Sequence, residues 1–322
     1  MWPSPTWGRP FLSVNLTNET KVLRMKAWIL AARLRTLPLS VSGILVAAAL
    51  SAWYDLFDLT LFLLALTTTL GFQILSYFAN DYGVGIKGND QSGRIGPDRA
   101  LQSGLLSASD LKKGMWVMAL FSALTATLLI YLAFGKEQWL IAMCYLLLGA
   151  AAIIAAIRYT VGDSAYGYKG FGDLFVLVFF GFVGVAGAYF LFTKHFSTDA
   201  WSLSLTIGLL SVAVLNLNNM RDRISDSGSG KVTMAVRMGR NKAVAYHLTL
   251  IVTALISAVW TLVNRMESGL DLKPLLALLP QIPHAIRVWK HREPASLDPE
   301  LKKVALSTVG VSLLLFVLAL IN

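Results

Sequence analysis

The stretch WLIAMCYLLLGAAAIIAAIR, residues 139–158, carries no charge before its closing Arg158. A helix rises about 1.5 Å per residue, so this run matches the roughly 30 Å hydrocarbon core of a bilayer. Further runs of the same kind lie on either side. They cover roughly 36–54, 60–79, 114–135, 172–193, 201–219, 243–264, 270–289 and 303–321. The run at 270–289 is the weakest, because Pro280 and Pro283 interrupt it. Membrane helices tolerate proline where neighbours satisfy the freed carbonyls.

Composition points the same way. Of 322 residues, 56% are hydrophobic and only 14% charged, where a soluble domain has about a quarter charged. Disorder, a collagen-like fibre and an ordinary cytosolic enzyme are excluded. The single cysteine, Cys144, sits inside an apolar run, which rules out a disulfide framework and a cysteine metal cluster. The fold class expected is an all-α polytopic membrane protein with nine transmembrane helices, forming one domain over residues 25–322. Residues 1–24 read as a tail, expected to be disordered. Their apolar core is too short for a signal peptide.

The net charge of +10 has a topological meaning. Most of the 28 Lys and Arg residues fall before the first run and in every second gap after it. The opposite side holds only Lys136, Lys194, Arg265 and, at the start of the run 270–289, Lys273. This is the positive-inside pattern, and it places the N-terminus in the cytoplasm and the C-terminus outside. No basic stripe alternates with exposed aromatics, so no nucleic-acid partner is expected.

Two of the basic gaps begin where an apolar run ends in Asn and Asp. The first reads Asn80-Asp81-Tyr82-Gly83-Val84-Gly85-Ile86-Lys87-Gly88-Asn89-Asp90, followed by Arg94 and Arg99. The second reads Asn218-Asn219-Met220-Arg221-Asp222-Arg223-Ile224-Ser225-Asp226, followed by Lys231. Asn218, Asp222 and Asp226 are four apart and share one helix face. Asp81 and Asp90 are nine apart, on opposite sides of a continuous helix. A break at Gly83, Gly85 or Gly88 would let the chain turn back. Carboxylates with amide oxygens make a hard-oxygen site suited to Mg²⁺, which binds through one or two carboxylates plus substrate phosphates. The candidate metal residues are therefore Asn80, Asp81, Asp90, Asn218, Asp222 and Asp226. Lys87, Arg94, Arg99, Arg221, Lys231 and, before the first run, Arg35 are candidates for the remaining phosphate charge. A single Asp at a helix mouth is ordinarily a solvated loop residue. Two matched clusters, with Asn, Asp, Gly, Lys and Arg recurring together, favour a shared site.

Two glycine patterns lack their context. Gly83–Gly88 fits G-x-G-x-x-G but follows an apolar helix instead of a strand. Gly228-Ser229-Gly230-Lys231 lacks the upstream glycine and the following Ser or Thr of a phosphate loop. The gap at 159–173 is rich in glycine and tyrosine. Its tyrosines, Tyr159 and Tyr166 among them, read as a lid over an inward-facing pocket or as interfacial anchors, and spacing favours the anchors. His195, His247, His284 and His291 form no ligand spacing. A transporter would also set carboxylates around a cavity, but near mid-membrane, and here they cluster at one face.

These strings together resemble the UbiA superfamily of intramembrane prenyltransferases. Gln73-Ile74-Leu75, Asn80-Asp81-Tyr82-Gly83, Lys87-Gly88, Asp90, Arg94-Ile95-Gly96-Pro97, Tyr166-Gly167-Tyr168 and Asn218-Asn219-Met220-Arg221-Asp222 are similar to its naphthoate-prenylating branch. Arg33 with Arg35-Thr36-Leu37-Pro38 fits that family's first helix. The resemblance covers about residues 26–322. It implies Mg²⁺ as cofactor, a polyprenyl diphosphate and an aromatic acid acceptor as substrates, and a bacterial inner membrane with the site mouth toward the cytoplasm. It also implies Asp81, Asp90, Asp222 and Asp226 as catalytic residues, with Tyr159 or Tyr166 shielding an allylic cation. An acceptor such as 4-hydroxybenzoate is the alternative within the family. The sequence departs from the family pattern at Val84, where the first motif normally carries a third Asp. That removes one carboxylate from the first cluster and raises the further alternative of an impaired homologue.

Overall fold

The computed structural model describes residues 18–34, 36–87, 99–265, 269–291 and 293–321. The described residues are helical and contain no strand. A first helix, α1 (Asn18–Ala31), begins inside the segment expected as a tail. There follow α2 (Leu37–Trp53), α3 (Leu59–Lys87), α4 (Ala108–Phe134) and α5 (Trp139–Arg158). Next, α6 (Gly172–Val176), a π-helical turn set (Leu177–Gly187) and α7 (Ala188–Thr193) run on as one span. The chain continues through α8 (Thr198–Arg221), α9 (Arg223–Gly228), α10 (Met234–Asn264), α11 (Gln281–Lys290) and α12 (Asp298–Ile321).

Among the described residues seven helices are long and apolar enough to cross a membrane, and α2 is a shorter apolar helix. The run expected at 270–289 is not one helix. It splits into a 3-10 segment, Gly269–Leu278, and α11, on either side of Leu279 and Pro280. Pro280 has no N–H to continue the ladder.

Local sequence sets the helix ends. Ser107 caps α4, accepting from the Asp110 N–H at 3.1 Å, while the Asp110 carboxylate accepts from the Ser107 N–H, a reciprocal capping box. α10 bends at Gly239, whose φ of 70° favours glycine. Side chains then sort by environment. α5 buries only Ala155 and turns Leu140, Leu147 and Ile154 outward, as suits a helix facing lipid. α8 is buried along most of its length, among α10, α12 and the π-helical segment. A Cβ on Gly181 would lie 2.5 Å from the Ser204 carbonyl oxygen, so the missing side chain lets those two backbones touch. α12 packs along α2, so the first and last apolar helices adjoin and the bundle closes around a cavity.

Candidate active site

The cavity has a volume of about 1760 Å³, larger than the roughly 300–1,000 Å³ of ordinary small-molecule sites. Its wall joins the two acidic clusters: Asn80 and Asp81 from α3, and Asn218, Asp222 and Asp226 from the α8–α9 junction. Away from them the lining is mostly apolar, including Phe175, Phe179, Val183 and Leu129.

The first cluster sits on an unbroken helix. α3 continues through Gly83 and Gly85 to Lys87, so the turn-back expected at those two glycines does not occur there. Their role is close packing. A Cβ on Gly83 would fall 2.8 Å from the Thr160 backbone, and one on Gly85 would strike Leu101. Thr160 in turn donates its hydroxyl to the Ala79 carbonyl at 3.0 Å. Asp81 is 1% exposed. Its carboxylate accepts from Arg33 Nη2 at 2.5 Å, and the same guanidinium reaches Asn80 Oδ1 at 3.3 Å. Arg99 Nη1 donates to the Asn80 carbonyl at 3.3 Å. Asp90, Arg94 and Arg35 lie outside the described residues.

The second cluster sits where a helix changes direction. Asp222 ends α8, yet the Asp222 N–H still bonds to the Asn218 carbonyl (3.0 Å) and the Asp226 N–H to the Asp222 carbonyl (2.8 Å). The four-residue spacing therefore survives, and all three side chains line the cavity. Arg221 is 5% exposed and fully engaged. Its Nε and Nη2 grip Asp222 at 2.8 and 2.9 Å, Nη2 also reaches Asn218 Oδ1 at 2.7 Å, and Nη1 reaches Asp298 at 2.5 Å. Lys231 holds both Asp226 oxygens, at 3.2 and 3.0 Å.

Asp81, Asp222 and Asp226 thus each have a basic partner beside them. Among the described residues no three His, Cys, Asp or Glu side chains are grouped to enclose an ion by themselves. The donor set is nonetheless hard oxygen, contributed from two sides of one cavity. That suits Mg²⁺, which keeps several waters and takes further ligands from substrate phosphates.

Other expected residues take different positions. Lys87 is outside the cavity wall, with Nζ 4.0 Å from the Tyr168 ring centroid. Tyr159, Tyr166 and Tyr168 line the cavity, which corrects the anchor reading favoured by spacing. The Tyr159 and Tyr166 rings meet edge-on at 5.4 Å, Tyr166 stacks on Phe175 at 3.8 Å, and Phe175 on Phe179 at 6.2 Å. The Tyr166 hydroxyl donates to the Ala155 carbonyl at 2.9 Å, which fixes the ring. Gly170, at φ 78°, turns the chain after this loop. Burial pushes the Tyr159 phenol above its ordinary value, helped by the negative charges of Asp173 and Asp226; burial likewise raises Tyr166. Both rings therefore present neutral phenols.

The profile of the UbiA prenyltransferase family matches residues 40–320. The chain belongs to that family. The 1,4-dihydroxy-2-naphthoate octaprenyltransferase of Haemophilus influenzae is 39% identical over 293 residues, covering 90% of this chain and 94% of that relative. The enzyme of the same name from Escherichia coli is 37% identical over 303 residues, covering 94% and 97%. Among solved structures, a UbiA homologue from Aeropyrum pernix K1 shares the fold with a TM-score of 0.66 at 14% identity, covering 90% of this chain and 98% of that one. A UbiA homologue from Archaeoglobus fulgidus, bound to DMAPP and Mg²⁺, has a TM-score of 0.56 at 13% identity, covering 87% and 98%.

Sequence reasoning missed Asp298 and the partnership of Arg33 with Asp81. Asp298 opens a helix, and an acidic first turn is an ordinary dipole feature, so nothing in the sequence set it apart. Arg33 lies 48 residues from Asp81, beyond any local spacing rule.

Proposed function

We propose that this UbiA-family chain transfers a polyprenyl group from its diphosphate to 1,4-dihydroxy-2-naphthoate, with loss of CO₂, giving demethylmenaquinol. The observation that carries the reading is the meeting of two acidic clusters, each with basic partners, at one end of a long apolar cavity. The names of relatives aligned over nearly the whole chain supply the acceptor.

Asn80, Asp81 and Asp90 on one side, and Asn218, Asp222 and Asp226 on the other, would hold Mg²⁺. When bound, Mg²⁺ supplies positive charge against the diphosphate as the C–O bond breaks. The residues of the chain do the rest. Arg33, Arg99, Arg221 and Lys231 surround the same volume with cationic donors and favour the charge that develops on the leaving group. The apolar wall takes the prenyl tail and excludes water. The column Tyr159, Tyr166, Phe175 and Phe179 offers ring faces to an allylic cation. A ring carbon of the acceptor forms the new C–C bond, the diphosphate departs, and the acceptor carboxyl is lost as CO₂.

The positive-inside count supports nine crossings with a cytoplasmic N-terminus, the run at 270–289 crossing as a broken span. In that arrangement the cluster-bearing mouth faces the cytoplasm of a bacterial inner membrane. The test is an assay of purified protein with Mg²⁺, a polyprenyl diphosphate, and either dihydroxynaphthoate or 4-hydroxybenzoate. Prenylated product from the naphthoate alone is expected. Product from the benzoate alone would reassign the acceptor.

A further inference from the structure

The start of α12 lies against the second acidic cluster. Asp298 lines the cavity and holds Arg221 Nη1 at 2.5 Å, while the other nitrogens of Arg221 grip Asp222 and Asn218. Two residues further on, Glu300 is 3% exposed and pinned from three directions. It pairs with His284 Nδ1 at 2.7 Å, with Arg287 at 3.5 Å and with Lys303. His284 is itself hydrogen-bonded to His247, Nε2 to Nε2, at 2.8 Å. The first turn of α12 is thereby tied to α10 and α11, and Asp298 is carried on a fixed support.

We infer that Asp298 is a positioning residue that sets the charge and the aim of the second cluster. This rests on the reading of that cluster as a divalent-cation site. Arg221 and Asp222 alone are neutral as a pair. With Asp298 the trio carries one net negative charge. A shared guanidinium also neutralises Asp222 less completely, so that carboxylate stays available to a cation. Because guanidinium geometry is a rigid planar fork, anchoring Nη1 fixes where Nε and Nη2 direct Asp222 and Asn218. Asp298 itself need not touch substrate.

The experiment uses purified full-length protein in detergent. Binding of Mn²⁺, as a spectroscopic stand-in for Mg²⁺, is followed from the electron paramagnetic resonance signal of the free ion. Wild type, Asp298→Asn and Asp298→Glu are compared, with melting temperatures taken without metal. Loss of one nearby negative charge is expected to weaken Mn²⁺ binding about three- to tenfold in Asp298→Asn. Asp298→Glu should return to within about twofold of wild type if charge is the cause. Unchanged Mn²⁺ affinity in Asp298→Asn overturns the inference while leaving the metal reading intact. Equal weakening in both variants, in step with lowered melting temperature, reduces Asp298 to a structural brace and also overturns it. Failure of the wild-type protein to bind Mn²⁺ overturns both readings.

Discussion

The two acidic clusters use the same chemistry with opposite construction. In the second, the neutralising cations come from the same stretch of chain: Arg221 adjoins Asp222, and Lys231 is five residues from Asp226. A helix ends there, and the turn into α9 aims the carboxylates. In the first, the helix runs straight on, and Arg33 arrives from the corner between α1 and α2. The pairs of Arg221 with Asp222 and of Lys231 with Asp226 need only α8, α9 and the turn that follows, and α12 then adds Asp298 to them. The first is complete only when the α1–α2 corner has docked against α3, and one of its family positions is occupied by buried Val84. A site assembled from one local and one long-range half should respond differently to damage on each side.

The largest effect tests the local half. Asp222→Ala and Asp226→Ala should each lower prenyl transfer by about 100-fold or more, read as product formed by purified protein, since on the proposed reading each removes a carboxylate that would hold Mg²⁺ against the diphosphate. Asp81→Ala should match them if both halves act on one headgroup. Full activity in Asp81→Ala would leave the first cluster as a structural pair only.

Arg33→Ala comes next and separates the two constructions. It leaves Asp81 buried without its cation, a strongly destabilising change when nothing replaces the charge. The melting temperature should fall in metal-free buffer and recover in millimolar Mg²⁺, because the cation fills the gap left by the guanidinium. Recovery that fails with Mg²⁺ would mean that Asp81 does not face the metal.

Val84→Asp restores a carboxylate one turn from Asn80. Half-saturating Mg²⁺ should fall by about threefold to tenfold, with activity at low Mg²⁺ rising in step. No change in either quantity would show that Val84 is not the weak point of the first cluster.

The smallest effect is expected at Tyr159→Phe. Burial and neighbouring carboxylates hold this phenol above its ordinary value, so it stays neutral throughout the assay range. The pH–rate profile between about pH 6 and 9 should be unaltered, and turnover should stay within about threefold of wild type. A new inflection in that profile would assign the hydroxyl a proton-transfer role.

Much of this was legible in the sequence, and for identifiable reasons. Runs such as 139–158 announce membrane helices because lipid imposes both length and composition. Asn218, Asp222 and Asp226 could be placed on one face because helical spacing survives the kink at Asp222. The rest depended on packing. Gly83 and Gly85 suggested a turn, yet each accepts a close neighbour, Thr160 and Leu101, inside a continuous helix. Tyr159 and Tyr166 had the spacing of membrane anchors. They face inward because the loop folds over the cavity, with Tyr166 fixed to the Ala155 carbonyl. The pairing of Arg33 with Asp81 and of Asp298 with Arg221 spans 48 and 77 residues, distances at which sequence order carries no geometric information.

The enclosure of α8 bears on biogenesis. Its inward side chains include Ser204, Thr206, Ser211, Asn216 and Asn219, and Asn216 donates to the Ala243 carbonyl of α10 as well as to Met220 Sδ one turn on. As the nascent chain leaves the ribosome, α8 emerges before that partner exists. The hydroxyls of Ser204, Thr206 and Ser211 bond back to carbonyls of α8 itself, but until α10 follows the Asn216 amide would lack its carbonyl acceptor, at a solvation cost. The two segments should therefore leave the insertion machinery together, as a hairpin instead of one by one.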